Sequence, residues 1–299
     1  MKNNPSHRGV IVPLVTPVTL TGELDEAAAR RLVDHVARNG CGMLVLGTTG
    51  EIASLDSALR RRYVEIAVQT AAGRSPVFAC IGHNCVGDSF AAGRDYLGLG
   101  VDGVVGLLPN YFKLEPAGMQ AYFEQLADNL KGPLLIYNMP QTTGMSIPVE
   151  VIEALSHRAN ITGLKDSENT ADRREIVAQR LGGRDDFALF MGVASSSVEA
   201  LRLGFDGIVP SSGNLYPERW RELFDAACAG DWTRAGKLQQ QLDALGAIFQ
   251  RNRSLGGSLA ALKAGLATRE LCGPSMVPPL RALEPAEQAA VREEIIRLG

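Results

Sequence analysis

Lys165 closes a short apolar run, Ile161-Thr162-Gly163-Leu164-Lys165, and Tyr137 ends a matching run one strand earlier, Leu134-Leu135-Ile136-Tyr137. A charged amine at the end of a core strand is costly unless it is paired or gives up its proton. In its neutral form it attacks carbonyl carbon, so this pattern predicts imine chemistry. A structural ion pair with Asp166 or Glu168 is the competing reading. It is disfavoured for Asp166, because adjacent strand residues point to opposite faces. A phenol on the neighbouring strand, Tyr137, could relay protons during carbinolamine collapse and C–C cleavage.

A second motif is Gly47-Thr48-Thr49-Gly50-Glu51. Glycines flanking two hydroxyl residues ahead of a helix let backbone N–H groups point inward, and such a turn can hold a carboxylate or phosphate. An ordinary strand-to-helix turn with a threonine cap would use the same residues. A shared location with Lys165 and Tyr137 favours the anion-binding reading. The four histidines, His7, His35, His83 and His157, form no metal set; His83 alone falls at a strand end, where it could touch substrate. No metal site is predicted. Arg60-Arg61-Arg62 reads as a solvated helix face.

The elements that must carry these residues repeat as a short apolar strand, a turn and an amphipathic helix. Strands are predicted over 10–15, 42–47, 76–81, 103–108, 134–138, 162–165, 188–191 and 207–210. They are apolar throughout instead of alternating, as expected of parallel strands covered on both faces. Helical patterns separate them, and glycines such as Gly40, Gly100 and Gly204 stand at the helix exits. Eight such units within about 210 residues predict an α/β fold, a closed (β/α)8 TIM barrel, with the chemistry at the strand C-termini. No GxGxxG follows the first strand, which argues against a dinucleotide fold. Residues 1–215 are assigned to the barrel and 216–299 to a C-terminal helical extension of the same domain.

Composition narrows the function. Among 299 residues, 45% are hydrophobic and 21% charged, the net charge is −3, and no basic field suggests nucleic acid. The five cysteines are odd in number and scattered without a CxxC pair, and no run approaches a membrane span. A soluble cytoplasmic protein with reduced thiols and no membrane partner is expected.

Taken together, Gly47-Thr48-Thr49-Gly50-Glu51, Tyr137-Asn138-Met139-Pro140 and Gly163-Leu164-Lys165-Asp166 resemble the pyruvate-dependent class I aldolases typified by dihydrodipicolinate synthase and N-acetylneuraminate lyase. The likeness covers essentially the whole chain, with the motifs in the family's order and approximate spacing. It implies that Lys165 forms a Schiff base with a 2-oxo acid, with no metal or organic cofactor. It also implies that Tyr137 is the acid/base, that Thr48 and Thr49 hold the substrate carboxylate, and that Thr48 joins a proton relay. Tyr111 looks like the tyrosine that the synthases contribute across a subunit interface. Gly47, Gly192 and Ile208 fall where the family lines its pocket, and Ser211 matches a lyase serine that contacts the sugar chain. The quaternary state so implied is a homotetramer of two tight dimers.

Departures from the family pattern refine the substrate. Where the synthases carry an arginine five positions after the motif tyrosine, this chain has Thr142, which the resemblance places among the substrate-binding residues. A hydroxyl cannot replace the bidentate guanidinium that a carboxylate wants. The segment after Glu51 lacks the histidine of lysine-inhibited synthases, and Asn110 precedes Tyr111. Val193-Ala194-Ser195 follows Gly192 where the neuraminate lyases carry an acidic pair. The expectation is an aldolase for a 2-keto-3-deoxy sugar acid or a related lyase, joining or releasing a 2-oxo acid and an aldehyde. A true dihydrodipicolinate synthase, or a non-catalytic sugar-acid-binding barrel, are the alternatives. A phosphate-binding barrel would want stronger glycine loops than Ser211-Ser212-Gly213 after the last strand.

Overall fold

The computed structural model describes residues 8–298. Eight parallel strands close into a barrel in chain order, with the eighth paired to the first. They are β1 (Gly9–Pro13), β2 (Gly42–Val45), β3 (Val77–Cys80), β4 (Gly103–Leu107), β5 (Leu134–Asn138), β6 (Ile161–Asp166), β7 (Ala188–Met191) and β8 (Gly207–Ile208). All eight predicted strands are present. Their interiors carry almost no polar residues because both faces are covered, one by the barrel core and one by helices.

The helices are α1 (Glu26–Arg38), α2 (Ser57–Ala71), α3 (Val86–Leu99), α4 (Pro116–Asn129), α5 (Pro140–Thr143), α6 (Val149–Leu155), α7 (Ala171–Leu181), α8 (Ser197–Arg202), α9 (Pro217–Cys228), α10 (Trp232–Gln250), α11 (Leu255–Ala267) and α12 (Pro285–Leu298). Helix α1 shows how the sequence specifies them. The Asp25 side chain accepts from the Ala28 N–H at 3.0 Å, satisfying one orphan donor, and Ala29, Leu32, Val33 and Val36 form the buried stripe. Helix α9 packs on β1 and so stands as the eighth ring helix, which carries the barrel past the expected boundary at residue 215 to Cys228, while α10 to α12 run on beyond the ring.

Ile11, Leu44, Phe78, Val105, Leu135 and Phe190 fill the barrel interior, and Lys165 and Val209 cap this layer. Layered branched and aromatic side chains make such a barrel a packed core and not a pore. All five cysteines are free, and burial pushes the Cys41 and Cys272 thiols up to about 12. No helix among the described residues is long and apolar enough to cross a membrane.

Candidate active site

Strands β5 and β6 pair in register so that Tyr137 lies directly opposite Lys165. Both point into the barrel mouth. The Lys165 Nζ stands 3.9 Å over the centre of the Tyr137 ring, and the lysine is only 5% exposed. It makes no hydrogen bond or ion pair among the described residues. The next residue along β6 points the other way. Asp166 accepts from Arg173 Nε at 2.7 Å and from Asn138 Nδ2 at 2.9 Å on the helix-facing side of the sheet. Strand alternation thus removes the nearest carboxylate from the lysine, as the sequence led us to expect.

Opposite this pair lies the turn after β2. The Gly50 N–H donates to Gly47 O at 3.0 Å and the Glu51 N–H to Thr48 O at 3.1 Å, which curls the turn tightly. Leu46 and Glu51, at φ 59° and 58°, hold its two ends in the left-handed region that side-chain-bearing residues seldom adopt. Strain of this kind persists where surrounding structure over-determines it. Here the buried Glu51 carboxylate is ion-paired to Lys263 of α11 and accepts from the Val277 N–H at 2.9 Å. The turn is therefore anchored from the C-terminal segment, and it presents Thr48 with its hydroxyl 3.5 Å from the Tyr137 phenol.

Lys165, Tyr137, Thr48, Thr49, Gly192 and Ser211 all line one cavity of about 340 Å³ at the strand C-termini. Gly192 follows β7, and a Cβ there would force the Ser167 hydroxyl to turn away and would stand 3.0 Å from Asp166 O. Gly47 contributes its carbonyl to the turn instead of lining the cavity.

Three further expectations are corrected. Ile208 is fully buried outside the cavity, and its neighbour Val209 faces inward beside Lys165. Period-two alternation makes a one-residue error in phase exchange the two faces. Thr142 does not reach the cavity; its hydroxyl bonds back to Met139 O at 3.3 Å, and Gln141 takes the lining position. Arg60 is no solvated residue. It is buried, donates to Ile52 O at 2.7 Å and lies 2.7 Å from a ring nitrogen of His83, away from the cavity. Burial and this cation both hold the His83 pKa below the usual imidazole value.

Tyr111 lies outside the cavity too. It is 79% exposed, stacked edge-on with Phe112 at 5.0 Å, on a loop whose N–H groups are held by the Asn84 side chain. The sequence reading missed Ser167 and the contributions from beyond the ring: Gln250, Arg253, Ser254 and Ser258 at the α10–α11 turn. Only Ser167, two residues past Lys165, carried a local signal.

A (β/α)8 barrel whose strand ends gather an unpaired buried lysine, a tyrosine and a hydroxyl-bearing turn around one cavity has the frame of a class I, imine-forming lyase. Comparison with known proteins makes the assignment specific. Residues 6–297 match the Dihydrodipicolinate synthetase family, and the chain belongs to that family. It is 31% identical over 294 residues to the 4-hydroxy-tetrahydrodipicolinate synthase of Methanosarcina mazei, covering 97% of this chain and 98% of the relative. Its fold superposes on the dihydrodipicolinate synthase of Bacteroides thetaiotaomicron with a TM-score of 0.93 at 28% identity, over 98% of this chain and 99% of the other. YagE of E. coli K12, a prophage protein of the same family solved in complex with pyruvate, gives a TM-score of 0.91 at 26% identity, over 97% and 98% of the two chains. The protein is accordingly a lyase of the class I aldolase type.

Proposed function

We propose that the protein makes or cleaves a carbon–carbon bond between pyruvate, or another 2-oxo acid, and a hydroxylated aldehyde, as a 2-keto-3-deoxy sugar acid aldolase or closely related lyase. The observation that carries this reading is the unpaired Lys165 amine over Tyr137, opening into a cavity that Thr48, Thr49 and several serines line. In the cleavage direction neutral Lys165 attacks the substrate's keto carbon, and the carbinolamine loses water to give an iminium ion. Tyr137 takes the proton from the hydroxyl at the scissile position as the C–C bond breaks and the electron pair moves into the iminium. The aldehyde leaves, the enamine is protonated at carbon, and water returns Lys165 and the 2-oxo acid. Thr48, 3.5 Å from the phenol, supplies the next step of a proton relay, and the Thr48–Thr49 turn anchors the carboxylate. No metal or organic cofactor enters this cycle.

Borohydride reduction in the presence of pyruvate tests the central step. It should leave a stable pyruvyl adduct on Lys165 by peptide mass spectrometry; an unmodified Lys165 after reduction overturns the imine. Synthase activity with aspartate semialdehyde, suggested by the relatives' names, is the second reading. Assaying it beside retro-aldol release of pyruvate from 2-keto-3-deoxy acids separates the two.

The proposal extends to assembly. Exposed Tyr111 and Phe112 suit an interface in which Tyr111 enters a neighbour's site, within a dimer of dimers. Sedimentation at micromolar concentration should find no monomer; a monomer removes Tyr111 from the mechanism. Cytoplasmic localisation fits the same reading.

A further inference from the structure

The cavity carries two charged side chains, and both are cations. Lys165 comes from β6 at its floor, and Arg253 comes from the turn between α10 and α11. No carboxylate lines it among the described residues. Arg253 is built into its position. Its Nη1 donates to Ile248 O at 2.8 Å, in the last turn of α10, where a helix's carbonyl-rich end favours a cation. That contact uses one nitrogen of the fork and leaves Nε and Nη2 without a protein partner among the described residues. A guanidinium in this state is suited to bidentate capture of a carboxylate or phosphate.

The surroundings agree in sign. Ser254 caps α11 by accepting from the Gly257 N–H at 3.2 Å, so the electropositive start of that helix adjoins the same wall of the cavity. Ser254 and Ser258 add hydroxyls beside it. On the β5 side, Thr142 bonds within its own turn, and α5 brings only the neutral Gln141 to the cavity. If the 2-oxo acid's carboxylate takes the Thr48–Thr49 turn, Arg253 remains as the one cation free to receive a second anion.

We propose that Arg253 is a specificity-determining residue that binds an acidic group on the aldehyde half of the substrate. The substrate class is then a hydroxylated 2-oxo acid whose far end bears a carboxylate or phosphate. This rests on the imine reading above, and it assigns selection of the second substrate to the C-terminal segment instead of to the barrel loops.

The test uses the full-length protein reduced with borohydride and pyruvate, so that Lys165 and the carboxylate turn are already occupied. Malonate, phosphoglycolate and glycerol are titrated by calorimetry. Wild type should bind one or both anions and bind glycerol far more weakly, the tighter anion telling carboxylate from phosphate. R253Q should lose tenfold or more in anion affinity, and R253K, which keeps the charge but not the fork, should recover part of it. Equal anion binding by wild type and R253Q, or no anion binding by wild type, overturns the assignment. Failure of wild type to take the pyruvyl adduct instead overturns the imine. The same titration on unreduced protein, read as the difference between wild type and R253Q, then still decides the role of Arg253.

Discussion

Two lysines are buried among the described residues, and their surroundings differ in kind. Lys263, 1% exposed, is ion-paired to Glu51 and donates to Ser275 O at 2.8 Å. Lys165, 5% exposed, has an aromatic face on one side and an open cavity on the other. A buried cation with a carboxylate and a carbonyl is a tie between segments: here it joins α11 and the 275–277 stretch to the turn that carries Thr48 and Thr49. A buried amine without such partners is available to react. Burial alone therefore says little about a lysine; its partners decide whether it holds the fold together or does chemistry.

The comparison can be broken or sharpened by substitution. Lys165→Met should lower kcat by at least about 10⁴-fold, as loss of a covalent nucleophile does, while denaturant melting stays within about 1 kcal/mol of wild type. Retained turnover would end the distinction at once. Tyr137→Phe keeps the ring beneath the amine and removes only the hydroxyl. The rate should fall by about 10²–10⁴, the range for a lost acid/base group, with imine trapping by borohydride still detectable. Lys263→Met should act on stability, because it leaves the Glu51 carboxylate buried without its cation, at about 3–5 kcal/mol in chemical denaturation. Adding Glu51→Gln, which removes the unpaired charge and keeps an acceptor for the Val277 N–H, should return part of that loss. A Lys263→Met protein that unfolds like wild type would mean the pair is no tie.

Much of this architecture was legible in the chain. Continuous apolar runs such as Leu134–Asn138 marked parallel strands, since only strands covered on both faces dispense with alternation. Lys165 and Tyr137 were recognisable because each closes such a run, and the Lys165–Asp166 alternation separated the two charges correctly. Phase was harder. The family resemblance pointed to Ile208, and strand β8, two residues long, is too short for a period of two to show that its neighbour Val209 is the one that faces inward. Helix α5, at four residues, offered no full period to detect, and nothing local told that Arg60 is buried while Arg61 and Arg62 pair with surface carboxylates.

By itself the sequence determined the barrel, the order of its strands and the two residues at the heart of the site. These depend on local periodicity and on the rule that neighbouring strands stand side by side in a closed parallel sheet. Tertiary structure alone decided what faces them. Glu51 meets Lys263 across more than two hundred residues, and Arg253 enters the cavity from a turn beyond the ring. Such contacts arise from how whole helices pack, and no short stretch of chain encodes them.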